Sequence, residues 1–399
     1  MKIDSGSDAR MSSAPLLVFA DDWGRHPSSC QHLIRHLLDR HTVHWINTIG
    51  TRPPRWNLST LRRGWEKIRH WTPRSAQAEA LPAHLKVHNP RMWPWFRSQW
   101  DRRINRRLLG RSLTALVESL PAPPVAITTL PIVADLVGLL PVRRWVYYCV
   151  DDFSVWPGLD GTTLRRLEEP LVRRADTLIA VSETLRERLA GMGRTAHLLT
   201  HGVDLDFWSR PQDGATLPQL AEVERPLVVF WGVVDRRMDV EFVRRLGAEL
   251  TRGTIVLAGP ESDPDPALAA CRRVLRLGSL PFAQLPMLAR EAAVLVMPYA
   301  DLPVTRAMQP LKLKEYLATG KPVVVRDLPA TREWADCLDL ADTAETFAQA
   351  VRLRLTAGLP ETQEAARARL ASESWAEKAR AFERWVLQEE PVSDALCCP

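Results

Sequence analysis

No stretch of the 399-residue chain approaches the ~18 consecutive apolar residues that a membrane-spanning helix requires, so no bilayer crossing is expected. Residues 16–20 come nearest to a leader core, but this short apolar run meets Asp21 and Asp22 and reads as a strand rather than a secretion signal. The six cysteines, Cys30, Cys149, Cys271, Cys337, Cys397 and Cys398, show neither the spacing of a metal site nor a disulfide framework, which agrees with a reducing compartment. Cys397 and Cys398 lie too near the end for a prenylation box, which would need cysteine where Leu396 stands, and they read as an inert tail. A cytoplasmic protein is expected. Several catalytic signatures are missing as well. There is no Gly-x-Ser-x-Gly elbow. Thr319-Gly-Lys321 mimics the end of a phosphate loop, but it follows a helix and lacks the upstream glycine. His32 and His36 share a helix face, yet Leu33 stands where a zinc protease needs glutamate, and no third ligand accompanies them. No metal is expected, and neither an internal repeat nor a heptad array is present.

What remains is ordinary globular composition, 46% hydrophobic and 25% charged, in a chain long enough for two α/β domains. Short buried strands are expected at 16–20, 43–49, 124–128, 144–150, 176–181 and 197–200, separated by helical stretches such as 28–40 and 100–120. A second series follows at 227–231, 254–258, 274–277, 294–297 and 322–325. Repeated βα order means parallel sheets with helices on both faces, that is, two Rossmann-like doubly wound domains. Residues 1–13 read as a disordered tail, 14–205 as the first domain with a basic insertion at 52–111, and 227–360 as the second domain. Residues 206–226 contain Pro211, Gly214 and Pro218 without a periodic apolar face and read as the linker. A helical run over 361–390 closes the chain before a tail at 391–399.

The net charge of +6 conceals an asymmetry. Residues 52–111 hold fifteen Lys or Arg against three acidic residues, and six of the fifteen tryptophans: Trp56, Trp65, Trp71, Trp93, Trp95 and Trp100. A cationic, indole-rich segment suits an anionic membrane interface or an anionic acceptor, with Arg102, Arg103, Arg106 and Arg107 clustered on one helix side. The competing reading has the tryptophans filling the core of an insertion while the arginines are merely solvated. Nucleic acid is not expected as a partner, because no recognised module accompanies the charge.

The most informative stretch is Pro310-Leu-Lys-Leu-Lys-Glu-Tyr-Leu-Ala-Thr-Gly-Lys-Pro-Val-Val-Val325, a helix begun by proline, ended by glycine and followed by a buried strand. Unpaired amides and the positive dipole end make such a helix start an anion site. Lys312 and Lys314 add charge, and Glu315 stands one turn in, where a carboxylate can accept hydrogen bonds from vicinal sugar hydroxyls. In residue order this stretch resembles the donor-site signature of GT-B glycosyltransferases, especially the retaining, family-4-like group (glycosyl transferases group 1). Further landmarks in the same order are Tyr147 to Gly158, Ala180 to Glu183, His201 to Asp204, Val256 to Pro260, Leu277-Gly278 and Met297 to Tyr299.

The resemblance implies two domains facing across a cleft, the first holding the acceptor and the second a nucleoside-diphosphate sugar, with UDP or GDP as the nucleotide. It also implies that the C-terminal helical segment crosses back to the first domain, with Trp375 and Trp385 as anchors. Glu315 then contacts the donor ribose; Gly232, followed by Arg236 or Arg237, serves the diphosphate together with Lys312. The two arginines also fit a solvated helix start. Where the family commonly carries a second glutamate the chain has Ala307, and of the amides that usually serve the phosphates Pro310 supplies none, leaving Gln309 and Leu311, with Arg306 as a substitute sugar contact. His201 stands where the family usually has asparagine and is expected to shape a turn. Asp151 and Asp152 end a strand and fit either an acid–base role toward the acceptor or a helix cap.

The expected function is sugar transfer to a hydroxyl of a carbohydrate or lipid-linked acceptor, retaining, without a metal or other cofactor, in bacterial surface polysaccharide assembly. Such an enzyme would be cytoplasmic or peripheral at the inner face of the plasma membrane. Two other readings stay open: a nucleotide-sugar 2-epimerase of the same fold, and a non-catalytic scaffold descended from a transferase.

Overall fold

The computed structural model of the chain describes residues 14–24, 28–51, 81–210 and 216–387. The expected tails and residues 52–80 of the basic insertion lie outside the described residues. Seven strands form the first sheet: β1 (Leu16–Ala20), β2 (Val43–Asn47), β3 (Leu85–His88), β4 (Val125–Thr128), β5 (Arg144–Cys149), β6 (Thr177–Ala180) and β7 (His197–Leu198), in the order β3-β2-β1-β4-β5-β6-β7. β1, β4, β5 and β6 are buried along their whole length, which is why each reads as an almost unbroken apolar run. The edge strand β3 escaped the sequence reading because only Leu85 of its four residues is buried.

The second sheet comprises β8 (Leu227–Trp231), β10 (Thr254–Ala258), β12 (Val274–Gly278), β13 (Ala292–Met297), β14 (Val323–Arg326) and β15 (Asp339–Ala341), in the order β12-β10-β8-β13-β14-β15. A two-stranded ribbon of β9 (Val234–Asp235) and β11 (Glu261–Ser262) stands beyond it. Both six- and seven-stranded sheets are parallel and doubly wound, with the strand order reversing between β1 and β4 in one and between β8 and β13 in the other. Ligands of open α/β sheets bind outside the carboxyl ends of strands at such a reversal. By compactness the chain divides into residues 1–148, 162–178 and 382–399, and residues 149–161 and 179–381. The site described below lies wholly within the second unit.

Three boundaries differ from the sequence reading. The first helix, expected over 28–40, spans Ser29–Arg35, capped by the Ser28 hydroxyl, and then tightens into successive turns. The helical run expected over 361–390 is broken into Glu361–Ala366, a 3-10 stretch Arg367–Glu373 and Trp375–Leu387. The break is set by Arg367, which is buried and donates to the carbonyls of Cys337 and Lys321, so the chain must turn inward to deliver it. Of the expected linker, residues 211–215 with Pro211 and Gly214 lie outside the described residues, and in the remainder Trp208, Leu217 and Leu220 belong to the core around the second sheet. The Trp208 ring stacks on Trp231 at 5.3 Å between centroids.

This packing predicts that Trp208→Ala destabilises the protein by ~3–5 kcal/mol in urea unfolding, the usual range for deleting a buried large aromatic. A change below ~0.5 kcal/mol, as for an exposed linker position, would contradict it.

Candidate functional site

β8 ends at Trp231, and the backbone turns at Gly232 with φ +136°, a conformation open to glycine and strained for other residues. A side chain here would collide with Lys312, since an added Cβ would fall 2.0 Å from its Nζ. Lys312 enters from the first turn of the helix Leu311–Ala318. Its ammonium donates to the Tyr299 hydroxyl at 2.8 Å and lies 4.5 Å from the centroid of the Phe230 ring. Strand end, Tyr299 after β13 and helix start thus hold one cation against bare main chain, with donor capacity left on Nζ for an anion.

One turn further along the helix, the carboxylate of Glu315 accepts from the indole Nε1 of Trp231 at 3.2 Å. Burial raises the Glu315 pKa to about 7, against the opposing pull of the Trp231 hydrogen bond and the Lys312 charge. The carboxyl therefore sits at the edge of ionisation near neutral pH. A pair of sugar hydroxyls would meet an acceptor whose charge they help to stabilise.

The two arginines after Gly232 part company. Arg236 is exposed and reaches toward Asp263 and Asp265. Arg237 turns inward, where Asp235 accepts from its backbone nitrogen and its guanidinium and the Trp156 ring centroid lies 4.7 Å away. The negative charge of Asp151 is also felt at Arg237 and helps to keep it protonated. Of the two aspartates, Asp152 is buried and accepts from the backbone nitrogen and hydroxyl of Ser154, with Arg188 3.5 Å away. It therefore forms the turn after β5, which leaves Asp151, half-buried beside Arg237, as the carboxylate near the cationic group.

Other expected residues divide similarly. Lys314, only 1% exposed, faces away from Lys312: it pairs with Glu373 and donates to the His201 carbonyl at 2.6 Å, so it holds the chain together and offers no charge to an anion. Positions two apart on a helix do not share a face. Arg306 is exposed and chelated by Asp301, and so does not join the site. Ala307 is buried, its carbonyl taking the Ser182 hydroxyl at 2.5 Å. Gln309 is buried with an amide nitrogen that has no hydrogen-bond partner among the described residues, and Leu311 begins the helix. In the other unit, Arg102 is bound bidentately by Asp135 and separates from Arg103, Arg106 and Arg107, which are exposed. The sequence reading gave no role to Phe230, Trp231, Asp235, Tyr299 or Trp156. An adjacent phenylalanine and tryptophan closing a strand that begins Leu-Val-Val was the available signal. Among the described residues no group of three or more His, Cys, Asp or Glu is placed to hold a metal ion.

Residues 225–356 match the family model described as Glycosyl transferases group 1. TuaH of Bacillus subtilis (strain 168), named for a glycosyltransferase of teichuronic acid biosynthesis, is 24% identical over 176 residues, 42% of this chain and 44% of that protein. The match thus spans less than half the length of that relative. Among solved structures, a trehalose-6-phosphate protein of E. coli bound with UDP-2-fluoro glucose superposes with a TM-score of 0.66 at 13% identity, covering 95% of this chain and 100% of that one. Sucrose-phosphate synthase of Thermosynechococcus elongatus gives 0.63 at 16% identity over 94% and 97%. HepE of Anabaena in complex with UDP gives 0.62 at 14% over 93% and 98%. The fold is that of GT-B glycosyltransferases, and the family match covers the part of the chain that carries Gly232, Lys312 and Glu315.

A carboxyl whose folded-state pKa exceeds its ordinary value contributes stability in its protonated form, and that contribution is lost as pH rises through the folded value, here about 7. Glu315→Gln, which stays neutral, should therefore gain on the wild type by ~2–3 kcal/mol between about pH 5 and about pH 8. A pH-independent difference in urea midpoints would mean that the Glu315 pKa is the same in the folded and unfolded chain, and so is not raised by burial.

Proposed function

We propose that the chain is a glycosyltransferase that moves a sugar from a nucleoside-diphosphate donor to a hydroxyl of a carbohydrate or lipid-linked acceptor. The observation that carries this reading is the Lys312 ammonium seated on Gly232 one helical turn from Glu315. A nucleoside diphosphate offers the complementary pair of groups, an anion and a vicinal diol. In the proposed complex Lys312 and the amides at the start of Leu311–Ala318 neutralise the diphosphate, and Glu315 takes the ribose hydroxyls. Arg237, fixed by Asp235 and Trp156, supports the charge that develops on the leaving group, and the Gln309 amide stands in for the contact that Pro310 forgoes.

Asp151 is assigned to orient the acceptor hydroxyl, while Asp152 shapes the turn. The leaving diphosphate itself accepts the proton on the face it vacates, which retains configuration, and charge neutralisation by side chains and helix amides does the work a metal would otherwise do. The UDP and UDP-sugar present in similar structures make UDP the first nucleotide to test, and the TuaH resemblance favours a cell-surface polysaccharide as product.

Thermal shift with UDP, GDP and their common sugars should single out one nucleotide, with ~2.7 kcal/mol of stabilisation at a hundredfold excess over its dissociation constant. With that nucleotide's sugar, free diphosphate should be released in the presence of an acceptor from a panel of sugars and glycolipids. Asp151→Asn should then slow release by ~10²-fold or more while leaving the thermal shift unchanged. Epimerised sugar without diphosphate release would make the protein an epimerase, and binding without any turnover would make it a scaffold in which Ala307 marks lost chemistry.

A further inference from the structure

The helix Gln99–Glu118 has two unlike faces. Asn105, Leu109, Leu113 and Val117 are buried against the first sheet's unit. On the other side, at 100° per residue, Trp100, Arg103, Arg107 and Arg111 fall within an arc of about 80°. All four are exposed, Trp100 at 72%, and the Arg103 guanidinium lies 5.9 Å from the Trp100 ring centroid. Arg106, also exposed, flanks them. A trough of about 610 Å³ runs along the stripe, walled by Arg103, Arg106, Arg107, Arg111 and Leu139, with Glu118 at its far end. Gly110 lets Leu139 approach, since a Cβ there would stand 2.9 Å from the leucine side chain.

Against these arginines the trough sets one acid, Glu118 at its end, and two other nearby acids are committed elsewhere. Asp101 closes the helix N-terminus with Ser98 and accepts from the Trp93 indole, and Asp135 holds Arg102. Residues 52–80, which precede this region in sequence, add seven Lys or Arg against two Glu and so do not neutralise it. Apolar groups are exposed at the same place. Of the seven large hydrophobic residues exposed among those described, Trp93, Trp100, Leu108 and Leu139 lie on or against this helix.

We infer that this face docks the protein on an anionic phospholipid surface, with Arg103, Arg107 and Arg111 at the headgroup phosphates and Trp100, Leu108 and Leu139 at the interface below them. Basic residues alone would fit any polyanion. Exposed leucines beside an indole have no counterpart along a nucleic-acid backbone, whereas the headgroup boundary of a bilayer accepts both kinds of group. The inference stands independently of the sugar-transfer reading.

The test is cosedimentation of the full chain with phosphatidylglycerol–phosphatidylcholine vesicles and with phosphatidylcholine vesicles, in about 0.1 M and about 1 M salt, where the screening length falls from about 10 Å to about 3 Å. Binding to the anionic vesicles at low salt should exceed binding to neutral ones by about tenfold or more and be largely lost at high salt. R103E/R107E/R111E should lose about tenfold in affinity, whereas R252E/R272E/R352E, with the same change in net charge on exposed arginines of the other unit, should bind as the wild type does. Trp100→Ala should remove what binding survives high salt. Unchanged thermal unfolding of each variant shows that folding is intact. Absent binding, equal binding to both vesicle types, or equal loss in both triple variants would overturn the inference, and so would tighter binding to duplex DNA than to the anionic vesicles at the same salt.

Discussion

Lys312 can lie against the main chain at the end of β8 because Gly232 has no side chain, and the segments that meet there depend on that absence. The doubly wound order places β8 between β10 and β13, so segments leaving three neighbouring strands meet at one point. From β10 comes Gly259, whose backbone passes so close that a Cβ would fall 1.9 Å from the Gly232 carbonyl oxygen. From β13 comes Tyr299, whose hydroxyl accepts a hydrogen bond from Lys312, and the helix preceding β14 supplies Lys312 itself. An ammonium held by one hydroxyl and one ring face retains hydrogen-bonding capacity for an anion, and a carboxyl whose pKa burial raises to about 7 lies one helical turn away.

The same helix has a second cation with the opposite fate. Lys314 is buried, its pKa lowered to about 8 by desolvation and the neighbouring Lys378, with Glu373 opposing the shift. Glu373 pairs with both lysines, and its backbone carbonyl accepts from Val203. Arg367, its pKa lowered to about 10 by burial, is satisfied by carbonyls of the chain around β14 and β15. Such groups tolerate burial because each of their nitrogens finds an acceptor, and losing one partner typically costs several kcal/mol. They fix the helix Leu311–Ala318 on one face, while Lys312 is presented on another. The broken course of the chain over 361–387 follows from these polar attachments more than from helix propensity.

Strand positions, the parallel doubly wound class and the Pro310–Gly320 helix were legible from sequence because each rests on local pattern: continuous apolar runs, a proline at the helix entrance and a glycine with φ +72° at its exit. What was not legible depends on direction. Composition cannot tell that Arg237 turns inward while Arg236 turns out, that Lys314 faces away from Lys312, or that Asp135 removes Arg102 from the basic stripe. Residues 206–226 looked like a linker because their prolines and glycine interrupt periodicity, yet a few isolated apolar residues, Trp208, Leu217 and Leu220, suffice to bury part of the segment. Edge strand β3 has too few buried positions to leave a pattern at all.

The central claim is that the Lys312 ammonium, in its glycine-lined seat, is the chief anchor for a nucleoside diphosphate. Calorimetric titration of UDP into the wild type and into Lys312→Met, which keeps the length of the side chain and removes its charge, tests this directly. The account predicts measurable binding to the wild type and a loss of at least ~1.5–3 kcal/mol, roughly tenfold or more in affinity, in the variant. Equal affinity in the two proteins, with UDP bound, would contradict it.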